Sequence, residues 1–248
     1  MSTSTDIINA VETYLAQTTA MIVAGLPSGG GENDVYTITS NNQLLLWATE
    51  GQNRLARLCL PVPDTATFTP ATSGQSSVPF TQIVSGSGRV LISPSQVSIG
   101  SRNLVTANMG FLMGNNNWYP TLPDGTPTGW ADNNSGITLS TYTGQPTFTA
   151  TGYFLPAPLT ILGQTLDSYI DDYAMRTIAF YVAWMVCGKN LNNTVLAERL
   201  VPMGNEWVGG VKEMYARLIQ EDPTMAAFYP LEPINSLVQV TGQVKART

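Results

Sequence analysis

The stretch Ile83-Val84-Ser85-Gly86-Ser87-Gly88-Arg89-Val90-Leu91-Ile92 decides the fold, because β-branched runs flank small residues that tolerate unusual φ, the pattern of a β-hairpin. It lies within about a hundred residues, from Asp64 to Asp167, whose only interior charges are Arg89, Arg102, Asp124 and Asp132. This run is rich in Thr, Ser, Gly, Asn and Pro and reads as short strands joined by turns. A second hairpin is expected over Ile137 to Leu155, where Thr147-Phe148-Thr149 alternates as a pleated surface with one wet face requires. Threonine keeps such a face soluble without charge, which suits contact with other protein subunits. Between the hairpins, Asn115 to Asn134 reads as a long turn-rich loop.

Both flanks of this run read as amphipathic helices. Thr5 or Asp6 caps a first helix, with Ile8, Val11, Leu15 and Ile22 on one face and an end at Gly25; Pro27 to Gly31 is then a flexible connection. Ser40 and Gln43 have capping-box spacing for a second helix with Leu44, Ala48, Leu55 and Leu58 inward, Glu50, Arg54 and Arg57 on its wet side, and Pro61 and Pro63 to end it. A third helix starts at Asp167 or Ser168 and closes at Gly188 as a glycine cap, with Lys189 at the negative end of the dipole. Its apolar part, Tyr173 to Gly188, is shorter than the roughly twenty residues of a membrane span and reads as a helix buried on most sides. A short helical piece, Thr194 to Val201, is broken by Pro202 and Gly204 before Asn205 caps a last helix with Val208, Val211, Tyr215, Leu218 and Ile219 inward and Glu213 and Arg217 outward. Finally Val238, Val240 and Val244 alternate with polar residues in an unpaired terminal strand.

The expected architecture is α+β: a helical bundle of about four helices from residues 1–63 and 166–232, a large inserted antiparallel β module at 64–165, and an extended C-terminal docking tail at 233–248.

The chain has 248 residues, no histidine, two cysteines and a net charge of -6. Without clustered Lys and Arg it does not fit general nucleic-acid binding. Without histidine the commonest general base and metal ligand are missing, together with the Ser-His-Asp and Cys-His arrangements. Neither a metal nor another cofactor is expected. Cys59 and Cys187 lie in apolar helical stretches, where free cysteine acts as a small hydrophobe. Met1 to Asp6 does not resemble a cleaved signal peptide, so synthesis in a cytoplasm is expected.

Carboxylate chemistry, such as glycoside hydrolysis, needs two acids flanking a sugar bond. Asp171 with Asp172, and Glu221 with Asp222, are adjacent pairs, yet each sits at a helix terminus where dipole complementation or solvation accounts for it. Trp118, Tyr119, Trp130 and Asp132, with Asn133 and Asn134, form a candidate ligand loop: aromatics stack on sugar faces and amides bind hydroxyls, although the same aromatics also serve as packing anchors. Arg176 either pairs with Asp172 one turn earlier or presents its charge to an adjacent subunit.

The order helix, helix, β insertion, long helix, helix and extended tail resembles the head-to-tail adaptor (connector) proteins of tailed bacteriophages, especially the short-tailed ones. It is carried by the helix from Ser40 to Cys59, the pair Asp167 to Gly188 and Asn205 to Asp222, and the tail from Pro233 to Thr248. The insertion is large for that family. The resemblance implies a non-enzymatic virion structural protein, a homo-oligomeric ring, usually of twelve copies, under the portal protein. It further implies that Leu237, Val238, Val240, Val244, Lys245 and Arg247 dock in the portal, that the β module faces tail or nozzle proteins and fibres, and that DNA passes without sequence-specific binding. No membrane partner is implied. The alternative is a receptor- or carbohydrate-binding module of a phage tail or capsid surface, acting through Trp118 and Trp130.

Overall fold

The computed structural model describes residues 2–16, 42–107, 125–189, 194–235 and 237. They form an α+β protein of two compact units, one from the described residues of Met1–Leu60 and Pro158–Thr248, the other from those of Pro61–Ala157.

The first unit is helical. Helix α1 spans Ser4–Leu15. The Asp6 carboxylate reaches back to accept from the amide of the N-cap residue Thr3 at 2.7 Å and from the Thr3 hydroxyl at 2.9 Å, one half of a capping box. It ends well before Gly25, because Ala16 takes the left-handed conformation, φ 50°, and turns its N–H back to the Glu12 and Thr13 carbonyls. The expected face position Ile22 lies outside the described residues. Helix α2 is Asn42–Leu58. Helix α3 is Asp172–Lys189, starting later than Asp167 because Asp171 is its cap: Asp171 Oδ1 accepts from the Ala174 amide at 2.7 Å, while Asp167 closes a separate turn with Tyr169. Gly188 is helical and is not the expected left-handed cap.

Helix α4 runs unbroken over Thr194–Glu221 with Pro202 inside it, where a break was expected. Pro202 and Glu198 are both exposed, so water can reach the 198 carbonyl that loses its partner, while Leu196, Gly204, Trp207, Val208 and Val211 bury the opposite face. Tertiary burial thus outweighs a local penalty of about 3 kcal/mol. A 3-10 turn, Pro223–Ala227, and short helix α5, Leu231–Asn235, follow.

Helix α3 packs against α1, α2 and α4 and is buried along most of its circumference, Ile178, Tyr181, Val182, Val186 and Cys187 included. Small residues permit the approach. A Cβ at Gly51 would stand 3.0 Å from the Tyr181 ring, and one at Gly210 would stand 2.7 Å from Thr177 Oγ1. Tyr14 and Phe180 stack at 4.2 Å between ring centres.

The second unit is a two-sheet sandwich. Strands β1 (Pro63–Phe68), β8 (Phe148–Leu155), β3 (Val90–Ile99) and β4 (Arg102–Asn103) lie in that order in one sheet. The other is ordered β2 (Ser77–Pro79), β7 (Gly136–Leu139), β6 (Gly129–Asp132) and β5 (Val105–Thr106). Inward residues from both sheets, among them Phe68, Leu91, Trp130, Ile137, Phe148 and Phe154, make one core together with Ile83 of the connecting chain. Each large side chain so buried contributes about 1.5–3 kcal/mol of transfer free energy.

The turn at Ser85 to Gly88 is present. Gly88, at φ +77°, donates to the Ser85 carbonyl at 2.9 Å, and Ser85 N–H reaches Arg89 O at 2.8 Å. Its first arm, however, is only a single bridge between Val84 and Val90, and β3 takes β8 as its main partner. Residues Ile137 to Leu155 do not form the expected hairpin: β7 and β8 lie in different sheets, so the chain crosses the sandwich between them. The hairpin in that region is β6 to β7, turned by Asn133-Asn134-Ser135 with Asn134 at φ 67°. The pairing is not wholly antiparallel either, since β5 and β6 run parallel, with Val105 opposite Gly129. Pro94 sits within β3, where its missing N–H is accommodated by register shifts on both sides, and the displaced backbone crowds Gly152.

Candidate functional site

The outer face of the β1-β8-β3 sheet is the first candidate surface. Strand alternation sends Ala66, Phe68, Phe148, Ala150 and Phe154 inward and leaves Thr65, Thr67, Thr149 and Thr151 outward. Register aligns Thr67 with Thr149 and Ser98, and Thr65 with Thr151 and Gln96, so hydroxyls and amides cross three strands without a charge. Thr65 Oγ1 and Thr151 Oγ1 are 3.2 Å apart, and Thr69 Oγ1 and Thr147 Oγ1 3.0 Å. Such a face presents hydroxyls and methyls with no charged group to desolvate.

A charged pair in this unit joins Asp64 to Arg89 at 2.9 Å, with side chains 22% and 13% exposed. Burial works to raise the Asp64 carboxyl, but the Thr65 amide, the Ser85 hydroxyl and the Arg89 guanidinium outweigh it and hold it below the ordinary carboxylate range. The pair anchors the hairpin turn to β1.

The candidate ligand loop is only partly a loop. Trp130 lies in β6, 2% exposed, as a member of the sandwich core, so its ring is not offered to a sugar. The backbone alternation of a strand, hidden in sequence by flanking Gly, Pro, Asn and Asp, turns it inward. Its indole N–H has no acceptor among the described residues. Asp132 is exposed and closes the β6–β7 turn by accepting from the Asn134 amide at 2.7 Å. Trp118 and Tyr119 lie outside the described residues.

In the helical unit, a matched pair of clasps grips α3. Glu50 and Arg54 of α2 pair at 2.8 Å, and the Arg54 guanidinium lies 5.2 Å from the Tyr181 ring centre. Glu213 and Arg217 of α4 pair likewise, with Arg217 4.4 Å from the ring centre of Tyr173, whose hydroxyl donates to Glu213. Burial, then the Glu213 carboxylate, pushes the Tyr173 phenol up to about 12, and Tyr181 is raised by burial and by Glu50. Such phenols stay protonated donors at neutral pH, and each clasp ties a flanking helix to α3. The sequence places Glu213 and Arg217 together; the tyrosine between helices is visible only in three dimensions.

Arg176 is exposed on α3, and the expected pair with Asp172 does not form among the described residues: Asp172 Oδ1 accepts instead from the Ser2 hydroxyl at 2.9 Å. The other acids have similar duties, Asp171 as the α3 cap and Asp222 as cap of the 3-10 turn. Cys59 and Cys187 are both free and buried, and burial pushes their thiols up to about 12 and about 11. Leu237 is half-buried, its N–H donating to Ile234 O at 3.2 Å; Val238, Val240, Val244, Lys245 and Arg247 lie outside the described residues. No helix of the described residues is long and apolar enough to cross a membrane.

No protein-family model matches the sequence, and no curated protein matches it.

Proposed function

We propose that this chain is a non-enzymatic structural subunit of a tailed-phage virion, a head-to-tail adaptor that assembles as a ring between portal and tail. The observation that carries this reading is the charge-free threonine face of the β1-β8-β3 sheet, carried by a chain that also has a separate helical unit. A ring subunit needs helical sides for its neighbours and a low-charge surface for coaxial contacts. In this reading the helices act as a side-by-side bundle, with the exposed Arg176 at a subunit contact, and Leu237 to Arg247 is the extended portal-docking element. The β module faces tail or nozzle proteins and fibres, and DNA slides through a ring of net negative charge without sequence-specific binding. About twelve copies per ring are expected by the same resemblance.

Native mass spectrometry of the purified chain, alone and with portal protein, tests this. A closed ring near twelve copies in either condition is expected. A chain that stays monomeric with portal present overturns the reading. The carbohydrate-binding alternative loses Trp130 to the core and is left with Trp118 and Tyr119. A glycan array that lights up and goes silent on Trp118→Ala would restore it.

A further inference from the structure

A sheet that ends in an open strand offers unpaired amides and carbonyls to any extended chain, and each sheet of the sandwich has two such ends. At one side they are minimal: β4 and β5 have two residues each, separated by Leu104 alone. At the other stand β1, with six residues, and β2, with three, joined by residues 69–76.

Ladder alternation tells which backbone groups of β1 face outward. Phe154 N–H donates to Val62 O at 2.9 Å, and the register runs unbroken from Pro63 opposite Tyr153 to Phe68 opposite Phe148. Asp64, Ala66 and Phe68 therefore turn their N–H and C=O groups toward β8, while Pro63, Thr65 and Thr67 turn theirs away. Pro63 has no N–H to give. The Thr65 N–H is already taken, donating to Asp64 Oδ1 at 2.8 Å, and that carboxylate is itself fixed by Arg89 at 2.9 Å. One outward donor is left, the amide of the exposed Thr67, which has no acceptor among the described residues.

Strand β2 repeats the construction with the opposite group. Leu139 N–H donates to Ser76 O at 2.7 Å and Ser77 lies opposite Thr138, so Ser77 and Pro79 turn outward. Pro79 has no N–H, and the Ser77 carbonyl accepts from Gln75 Nε2 at 2.7 Å. Gln75 is held in turn, its Oε1 accepting from the Ala71 amide at 2.9 Å. On both strands a proline removes one outward donor, at a position where the ladder loses nothing, and a neighbouring side chain occupies another outward group.

We infer that this flank of the sandwich is built to refuse strand addition, and that the Asp64 and Gln75 caps keep two copies of the chain from pairing edge to edge through β1 or β2. The sandwich then meets other proteins through its faces and lends them no edge. This goes beyond the adaptor reading and does not rest on it.

Sedimentation of the full chain at matched concentrations tests this, with circular dichroism to show that each variant keeps its fold. Asp64→Ala frees the Thr65 amide and is expected to add a species at a multiple of the wild-type mass. Thr67→Pro in the same chain removes the other outward donor and is expected to abolish that species. Asp64→Asn, which keeps an oxygen for the Thr65 amide, and Arg89→Leu, which keeps the carboxylate, are expected to sediment as wild type. Should Asp64→Ala lose its fold, Gln75→Ala with Pro79→Thr opens β2 and is expected to add the same kind of species. A folded edge variant that sediments as wild type overturns the inference. So does association that survives Thr67→Pro, or that appears equally in Asp64→Asn or Arg89→Leu. Mass is read against the wild-type species whatever its copy number, so this inference and the adaptor reading can fail independently.

Discussion

Asp64 and Arg89 show how one residue pair carries more than its charge count suggests. With both side chains mostly buried, removing Arg89 leaves a carboxylate short of a partner, so Arg89→Leu is expected to cost about 2 kcal/mol at neutral pH by denaturant unfolding. Because the folded carboxyl titrates below its unfolded value, this stabilisation is present above about pH 4 and is lost as pH falls further. The gap between wild type and Arg89→Leu should therefore narrow on acidification; a gap constant down to pH 2 or so would show that the pair is not its source. Gly152 makes the same point sterically. A Cβ there would meet Ser93 O at 2.2 Å and Pro94 Cα at 2.8 Å, both backbone, so Gly152→Ala should cost about 3 kcal/mol, whereas an exposed neighbour such as Thr151→Ala should cost well under 1. Arg89 was recognisable in sequence as an isolated charge beside a hairpin turn; its partner in β1 was not, because strand pairing over that separation leaves no local trace.

At the scale of elements, helix α4 contains its own control. Gly209 faces open space and Gly210 faces Thr177, so adjacent Gly→Ala changes gain the same helix propensity, about 1 kcal/mol, and differ only in the neighbour they meet. Gly209→Ala should stabilise by about 1 kcal/mol and Gly210→Ala should destabilise by about 1, the overpacking against a stiff β-branched side chain exceeding the gain. Equal thermal shifts in the two variants would contradict the close packing of α3 on α4. Apolar periodicity located the helices, since a buried stripe must repeat at 3.6 residues. Their ends were harder to read. Ala16 adopts a left-handed conformation that glycine takes more readily, Asp171 caps where several acids were candidates, and Pro202 is carried through by burial on the far face.

For the whole molecule, the most direct test concerns the sandwich. Val62 O accepts from Phe154 N–H at 2.9 Å and Pro63 lies opposite Tyr153, so the chain enters and leaves this unit on adjacent strands and its core closes upon itself. Residues 61–157 expressed alone are expected to fold, showing a cooperative melt and slow amide exchange in β3 and β8; exchange as fast as in an unstructured peptide would contradict that. The near absence of charge from Arg89 to Leu155 and the return of 3.6-residue periodicity from Tyr173 onward are properties of composition, so the sequence by itself determined that β and α segments share this chain and where the apolar helix faces lie. Only the tertiary structure decided which strands meet, that β7 and β8 part into different sheets, that Trp130 turns inward, and that Tyr173 and Tyr181 are gripped by acids and arginines of α4 and α2. The reason is physical: periodicity records whether a residue is buried, whereas pairing and packing partners are chosen by contacts between residues far apart in the chain, whose closure leaves no mark on local sequence.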